Sequence, residues 1–173
     1  MTVRENASGA PDFMIEEASL TEDVLEALIA LSRDWEAENS CFGYRANGRE
    51  DIEGNRIFLA RKGERIVGYL FGNLFRSENM RSIMPEGSPC FEVEEIYVVP
   101  DRRSCGIGKA LFEFAAGKVK AEAEYITLST ATKNWKAVFR FYLDELDMTF
   151  WSARLFKRIR DGEEGAGRPS DTV

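Results

Sequence analysis

The sequence contains no histidine among its 173 residues. That gap alone excludes Ser-His-Asp and Cys-His nucleophile systems, the two-histidine zinc site of an H-E-x-x-H helix, and any histidine general base. Cysteine is nearly as scarce. Cys41, Cys90 and Cys105 are an odd number, widely spaced and without a C-x-x-C pair. They are expected to be free thiols in a reducing compartment, not a disulfide framework or a zinc site, and no metal is expected. Basic charge is also short: 23 Lys+Arg against 30 Asp+Glu leave a net charge of −7. A nucleic-acid partner, whose phosphates need a basic stripe, is therefore not expected. No apolar run approaches the roughly 20 residues of a membrane span. The N-terminus, Met1-Thr-Val-Arg-Glu-Asn6, lacks the hydrophobic stretch of a signal peptide. These gaps lead to the expectation of a soluble, cytoplasmic protein with no membrane contact.

What is present suits one globular domain, with 44% hydrophobic, 31% charged and 12% aromatic residues. Residues 1–11 are small and polar and end at Pro11, so they are expected to form a flexible arm. Residues 161–173 have no apolar periodicity and are expected to be a disordered tail. The domain then spans 12–160. Its charge is uneven: between Glu16 and Glu38 stand eight acidic residues and one basic residue, Arg33, which leaves 22 of each sign elsewhere.

Along that domain, Phe13 to Glu17 reads as a first strand. Ser19-Leu20-Thr21-Glu22 has capping-box spacing, and Leu20, Val24, Leu25, Leu28, Ile29, Leu31 and Trp35 recur at helical intervals. Residues 39–54 leave room for a second short helix. Arg56–Ala60 and Arg65–Phe71 flank Lys62-Gly63-Glu64 as a hairpin. Phe91 to Val99 is a strand ended by Pro100, residues 107–123 a helix and 124–129 another strand. Trp135, Val138, Phe139, Tyr142, Leu143 and Leu146 mark a last helix, with a closing strand expected over Met148–Ile159. Hairpins mixed with crossover helices predict an α/β domain with a mixed sheet, not a doubly wound one.

The stretch richest in chemistry is Val98-Val-Pro-Asp-Arg-Arg103-Ser-Cys-Gly106-Ile-Gly108-Lys109. A strand ends, a short loop carries two arginines and two glycines, and a helix begins. Glycines at a helix start let the backbone approach a ligand and aim its free N–H groups outward, and the helix dipole favours an anion there. A phosphate or pyrophosphate site is the natural reading. It is not a Walker A loop, because Arg103 stands where the first glycine belongs and Ala110 where Ser/Thr belongs. It is not a dinucleotide fingerprint either, because Leu111 takes the third glycine position. The pattern that fits is R-x-x-G-x-G after a Val-x-Pro strand end.

At these residues the chain resembles the GNAT superfamily of N-acetyltransferases, over roughly residues 13–160. The resemblance implies a mixed, mostly antiparallel sheet of six or seven strands flanked by about four helices. It also implies acetyl-CoA as co-substrate and direct transfer to a primary amine of a small-molecule or peptide acceptor. Ile96, Tyr97 and Val98 would pair with the pantetheine arm through main-chain groups, one N–H polarising the acetyl carbonyl. Arg103, Ser104, Cys105, Gly106, Ile107, Gly108 and Lys109 would cradle the pyrophosphate, with Cys105 filling the loop and not acting as a nucleophile.

In the family's last helix an Asn, an Ala and a Tyr recur. Here Asn134 and Ala137 keep their interval, but Tyr142 comes one residue late. Either the helix holds one extra residue as a π-bulge, or Asn134 is not the equivalent. Tyr142 would protonate the departing thiolate. Among family members that use a strand carboxylate as base, its position matches Glu92 or Glu94, and Glu94 is favoured. Strict alternation puts both with Ile96 and Val98, and leaves Glu95 on an apolar face in need of a partner. The acidic first helix, which in this fold borders the acceptor entrance, implies a cationic acceptor. A homodimer is left open. The alternative is a GNAT-like module that binds an acyl-CoA without turnover.

Overall fold

The structure is a computed structural model that describes residues 11–157; the expected tail and all but the end of the expected arm lie outside them. Five strands form one sheet in the order β1 (Met14–Ala18), β2 (Arg56–Lys62), β3 (Arg65–Arg76), β4 (Pro89–Val98) and β5 (Tyr125–Leu128). The first four pair antiparallel, whereas β4 and β5 run parallel. A parallel pair needs a crossover, and the helix over Ile107–Val119 supplies it.

Ahead of it come α1 (Glu22–Glu38) and the short α2 (Arg49–Ile52), which makes the crossover helix α3; α4 (Trp135–Phe139) follows β5. One face of the sheet meets α3, where Phe58 sets its ring edge-on against Phe91 and Phe114. The other meets α1, whose Trp35 stacks on Tyr97 at 5.3 Å. Leu28, Phe58, Leu59, Tyr69, Leu70 and Leu111 are among the side chains fully excluded from water between these layers. No helix among the described residues is long and apolar enough to cross a membrane.

Three expectations change. The cap of helix α1 lies two residues after Ser19, because Thr21 takes the extended cap conformation and its hydroxyl accepts from Val24 N–H at 3.3 Å. The last helix is not continuous: α4 gives way after five residues to a π-helical turn over Arg140–Glu145, closed by Leu146 N–H donating to Phe141 O at 3.1 Å. A π turn in this helix is one of the two arrangements expected for the late tyrosine. Asp147 then turns the chain in the left-handed region, φ 53°. Finally, residues 148–157 form no strand, so the sheet has five strands among the described residues where six or seven were expected; the last two residues of the expected strand lie outside them. Aromatic residues favour a pleated, half-buried surface, but here Leu155 and Phe156 are 95% and 84% exposed, and no ladder partner fixes them.

The remaining difference bears on the site. Pairing of β3 with β4 passes from Phe71 opposite Glu95 to Gly72 opposite Val93, so Glu94 is an extra residue, a β-bulge. Past it Glu92 faces Asn73, and Asn73 lies on the same side of β3 as Phe71. The bulge thus puts Glu92 on the face of Glu95, and not with Ile96 as unbroken alternation would have it. Gly72 makes room for the bulge: a Cβ there would lie 2.0 Å from the Glu92 carbonyl oxygen. Gly72→Ala is expected to lower stability by about 1–3 kcal/mol, read as a reduced urea midpoint.

Candidate active site

The β4–β5 ladder covers only Cys90–Val93 against Tyr125–Leu128. Beyond Val93 the two strands part, and a cleft of about 770 Å³ opens between them. Val99 N–H donates to Val67 O of β3 at 3.1 Å. Main-chain groups alternate in direction along a strand, so those of Val98 and Ile96 point the other way, into the gap, while those of Tyr97 point to β3. Of the three residues expected to offer backbone pairing, Ile96 presents both main-chain groups to the gap and Val98 its N–H, while the Val98 carbonyl accepts from Arg103. Tyr97 contributes its side chain instead: its phenol donates to Glu38 Oε1 at 2.6 Å.

At the end of β4 a single 3₁₀ turn, Pro100–Arg102, leads into the glycine loop. Ser104 and Gly106 both take positive φ, 59° and 82°, on either side of Cys105. Such alternation turns successive N–H groups into one concavity, an anion-binding nest. Helix α3 continues it. Its first intrahelical bond is Ala110 N–H to Gly106 O, and no side chain caps its N-terminus, so the N–H groups of Ile107, Gly108 and Lys109 precede the first helical bond. Gly108 packs under the π turn, where a Cβ would lie 3.2 Å from Phe141 Cζ.

The arginines are less free than the sequence implies. Arg103 donates from Nε to Val98 O at 2.8 Å and from Nη2 to both Glu38 oxygens at 2.8 and 2.9 Å. Arg102 is paired with Asp12. The cradle is thus mainly backbone, with Lys109 beside it, 3.7 Å from Glu113. Arg140, which sequence reasoning passed over, also lines the cleft. It forms no ion pair among the described residues, and a lone cation within Val138-Phe-Arg-Phe-Tyr142 was the signal that could have revealed it.

Asn134 and Tyr142 both line the same cleft. Burial, with a smaller contribution from Cys41, raises the Tyr142 phenol to about 12, so it holds its proton at neutral pH. Across the opening, residues 40–42 pair with 131–133: Cys41 bridges Thr132, Phe42 N–H donates to Ala131 O at 2.9 Å and Lys133 N–H to Ser40 O at 2.8 Å. This strap, also missed in the sequence, ties the end of α1 to the loop before α4.

The three β4 glutamates separate sharply. Glu92 lines neither cavity; its carboxylate accepts from the Thr127 hydroxyl, and burial raises its pKa. A second cavity of about 560 Å³ lies between α2 and β4, lined by Asn47, Glu50, Asp51, Glu53 and Asn73 among others. Glu94 and Glu95 line both cavities. Glu94 is exposed and accepts from Asn73 Nδ2 at 3.2 Å. Glu95 finds its partners in neither an arginine nor a lysine. Oε2 accepts from Tyr69 Oη (2.8 Å), Asn47 Nδ2 (2.9 Å) and Tyr44 Oη (3.4 Å).

Much of the acidity of α1 and its flanks is spent on internal pairs, Glu16 with Arg61, Glu17 with Arg56, Glu22 with Arg49 and Glu38 with Arg103. The acid that faces the second cavity comes from α2 and its flank instead.

A sheet splayed beside a backbone anion nest at the start of α3 defines the class of fold. Residues 21–146 match the profile of the Acetyltransferase (GNAT) family, and the chain belongs to that family. It is therefore placed among the acyltransferases. No curated protein matches the chain significantly in sequence.

Solved structures share the fold at low identity. A transcriptional regulator from Bacillus halodurans C-125 is 23% identical with a TM-score of 0.63, over 85% of this chain and 99% of that one. An aminoglycoside acetyltransferase from an uncultured soil metagenomic sample, solved with trehalose, is 17% identical with a TM-score of 0.60, over 86% and 97%. An aminoglycoside N-acetyltransferase in complex with CoA is 18% identical with a TM-score of 0.59, over 85% and 99%.

Proposed function

We propose that the protein transfers an acetyl group from acetyl-CoA directly to a primary amine of a small-molecule or peptide acceptor that carries positive charge. The observation that carries this reading is the junction at Glu94 and Glu95. There the cleft with the backbone anion cradle meets a cavity whose charged lining residues, Glu50, Asp51, Glu53, Glu94 and Glu95, are all acidic. Acetyl-CoA supplies a thioester-activated acetyl group. The nest at Ser104–Gly106 and the first N–H groups of α3 would hold its pyrophosphate, and Ile96 and Val98 would align its arm along β4. A main-chain N–H in the splay polarises the carbonyl under attack. A junction carboxylate takes a proton from the acceptor ammonium, and Tyr142 gives one to the leaving sulfur.

The aminoglycoside acetyltransferases that share the fold support a polycationic amine as acceptor class. Release of CoA thiol is expected with at least one of four cationic amines: spermidine, kanamycin, lysine amide or an alanyl peptide. Calorimetry that detects no acetyl-CoA binding at high micromolar concentration would sink the reading. Binding without thiol release from any amine would favour the non-catalytic module instead.

A further inference from the structure

We propose that Glu95, and not Glu94, is the base that deprotonates the acceptor amine, and that Tyr44, Asn47 and Tyr69 hold it in place. The proposal rests on the N-acetyltransferase reading above. Family resemblance points to Glu92 or Glu94, but the bulge at Glu94 changes which carboxylate faces what. Glu92 is turned to Thr127, outside both cavities. Glu94, the bulged residue, is exposed at the rim.

Glu95 is half-buried at the wall shared by the two cavities. All three of its donors converge on Oε2, from the α1–α2 loop (Tyr44, Asn47) and from β3 (Tyr69). That fixes the carboxylate plane and leaves Oε1 without a protein donor among the described residues. A carboxylate oriented by one oxygen and free at the other is built to accept a proton from a third party.

The charged surroundings suit the task. No lysine or arginine pairs with Glu95 among the described residues, so its charge is not cancelled. Burial raises its pKa above the usual glutamate range, Asp51 of α2 adds to the rise, and the three donors pull it back. Asp51 is itself partnered by Arg45. A base whose pKa moves toward neutrality keeps more driving force for taking a proton while staying ionised enough to act.

The proton count closes. Glu95 Oε1 takes one proton from the ammonium. The neutral nitrogen forms its bond to the acetyl carbon as the C–S bond breaks, and the nitrogen's second surplus proton replaces the one Tyr142 gives to sulfur. Glu95 returns its proton to water, so ammonium and thioester become amide, free thiol and one released proton.

The test follows thiol release by the full chain across pH, with the fastest of the four amines and with trifluoroethylamine, a primary amine already neutral at pH 7. Glutamine at position 95 still accepts from the three donors, so Glu95→Gln should keep the wild-type melting temperature. It is expected to lower kcat/KM about 100-fold near neutral pH with the basic amine. The loss should shrink as pH rises and nearly vanish with trifluoroethylamine. Tyr44→Phe removes one donor to the ionised form and should move the acidic limb of the profile to higher pH. Glu94→Gln should raise KM for a cationic amine with kcat little changed. The proposal is overturned if Glu95→Gln keeps the wild-type profile, or if Glu94→Gln shows the pH-dependent loss in its place. A wild-type chain that releases no thiol from any amine refutes the N-acetyltransferase reading itself, and this assignment falls with it.

Discussion

Tyr142→Phe is expected to lower kcat by about 100- to 1000-fold while leaving acetyl-CoA affinity within a few-fold of wild type. The phenol lines the cleft, and its raised pKa of about 12 keeps the proton on oxygen at neutral pH. Its place there depends on the π turn over Arg140–Glu145, within which it lies. A tyrosine that merely packed the end of the helix would behave differently. Phenylalanine keeps the ring, so kcat would then hold and only stability would move. Single-turnover rates with the basic amine separate the two outcomes.

The other large effect is at the anion cradle. Gly108→Trp is expected to weaken acetyl-CoA binding by at least about 100-fold by calorimetry, a loss of roughly 2.7 kcal/mol or more. Gly108 is the second residue of α3, its missing side chain lies between Phe141 and Val98, and the helix's free N–H groups surround it. An indole there fills the approach to those groups without breaking helical geometry. Gly108→Ala serves as control. Its Cβ would meet only the flexible Phe141 ring, at 3.2 Å, and a shift of a few tenths of an ångström relieves the contact. Binding that survives the tryptophan would remove the pyrophosphate from this loop.

The strand-loop-helix at 96–109 was legible in the sequence because its chemistry is local. A strand end, two glycines at fixed offsets and a helix start lie within one short stretch, so their spacing alone defines a concavity of N–H groups. The β2–β3 hairpin and α3 were equally plain, through turn residues and a sustained helical stripe. The glutamates were not. Which of Glu92, Glu94 and Glu95 faces the cavities depends on a one-residue bulge whose only local sign is Gly72 on the neighbouring strand. Strict alternation fails silently at such a point.

The partners of Glu95 were hidden for another reason. Tyr44 and Asn47 sit about 50 positions away, in a segment without periodicity. The Ser40–Phe42 strap likewise pairs with residues about 90 positions later. The charge of α1 was visible as a number, yet its destination was not, because ion pairs to Arg49, Arg56, Arg61 and Arg103 are tertiary facts. The expected closing strand failed through the same limit: β-propensity marks residues that suit a sheet without saying whether an edge will receive them.

The most direct measurement of the account is the mass of the acceptor after incubation with the full chain and carbonyl-labelled acetyl-CoA. One of the four cationic amines is expected to gain a single labelled acetyl group on nitrogen, with one CoA thiol released per amide. Tight binding of acetyl-CoA with every acceptor mass unchanged would contradict it, and would leave the chain a binding module.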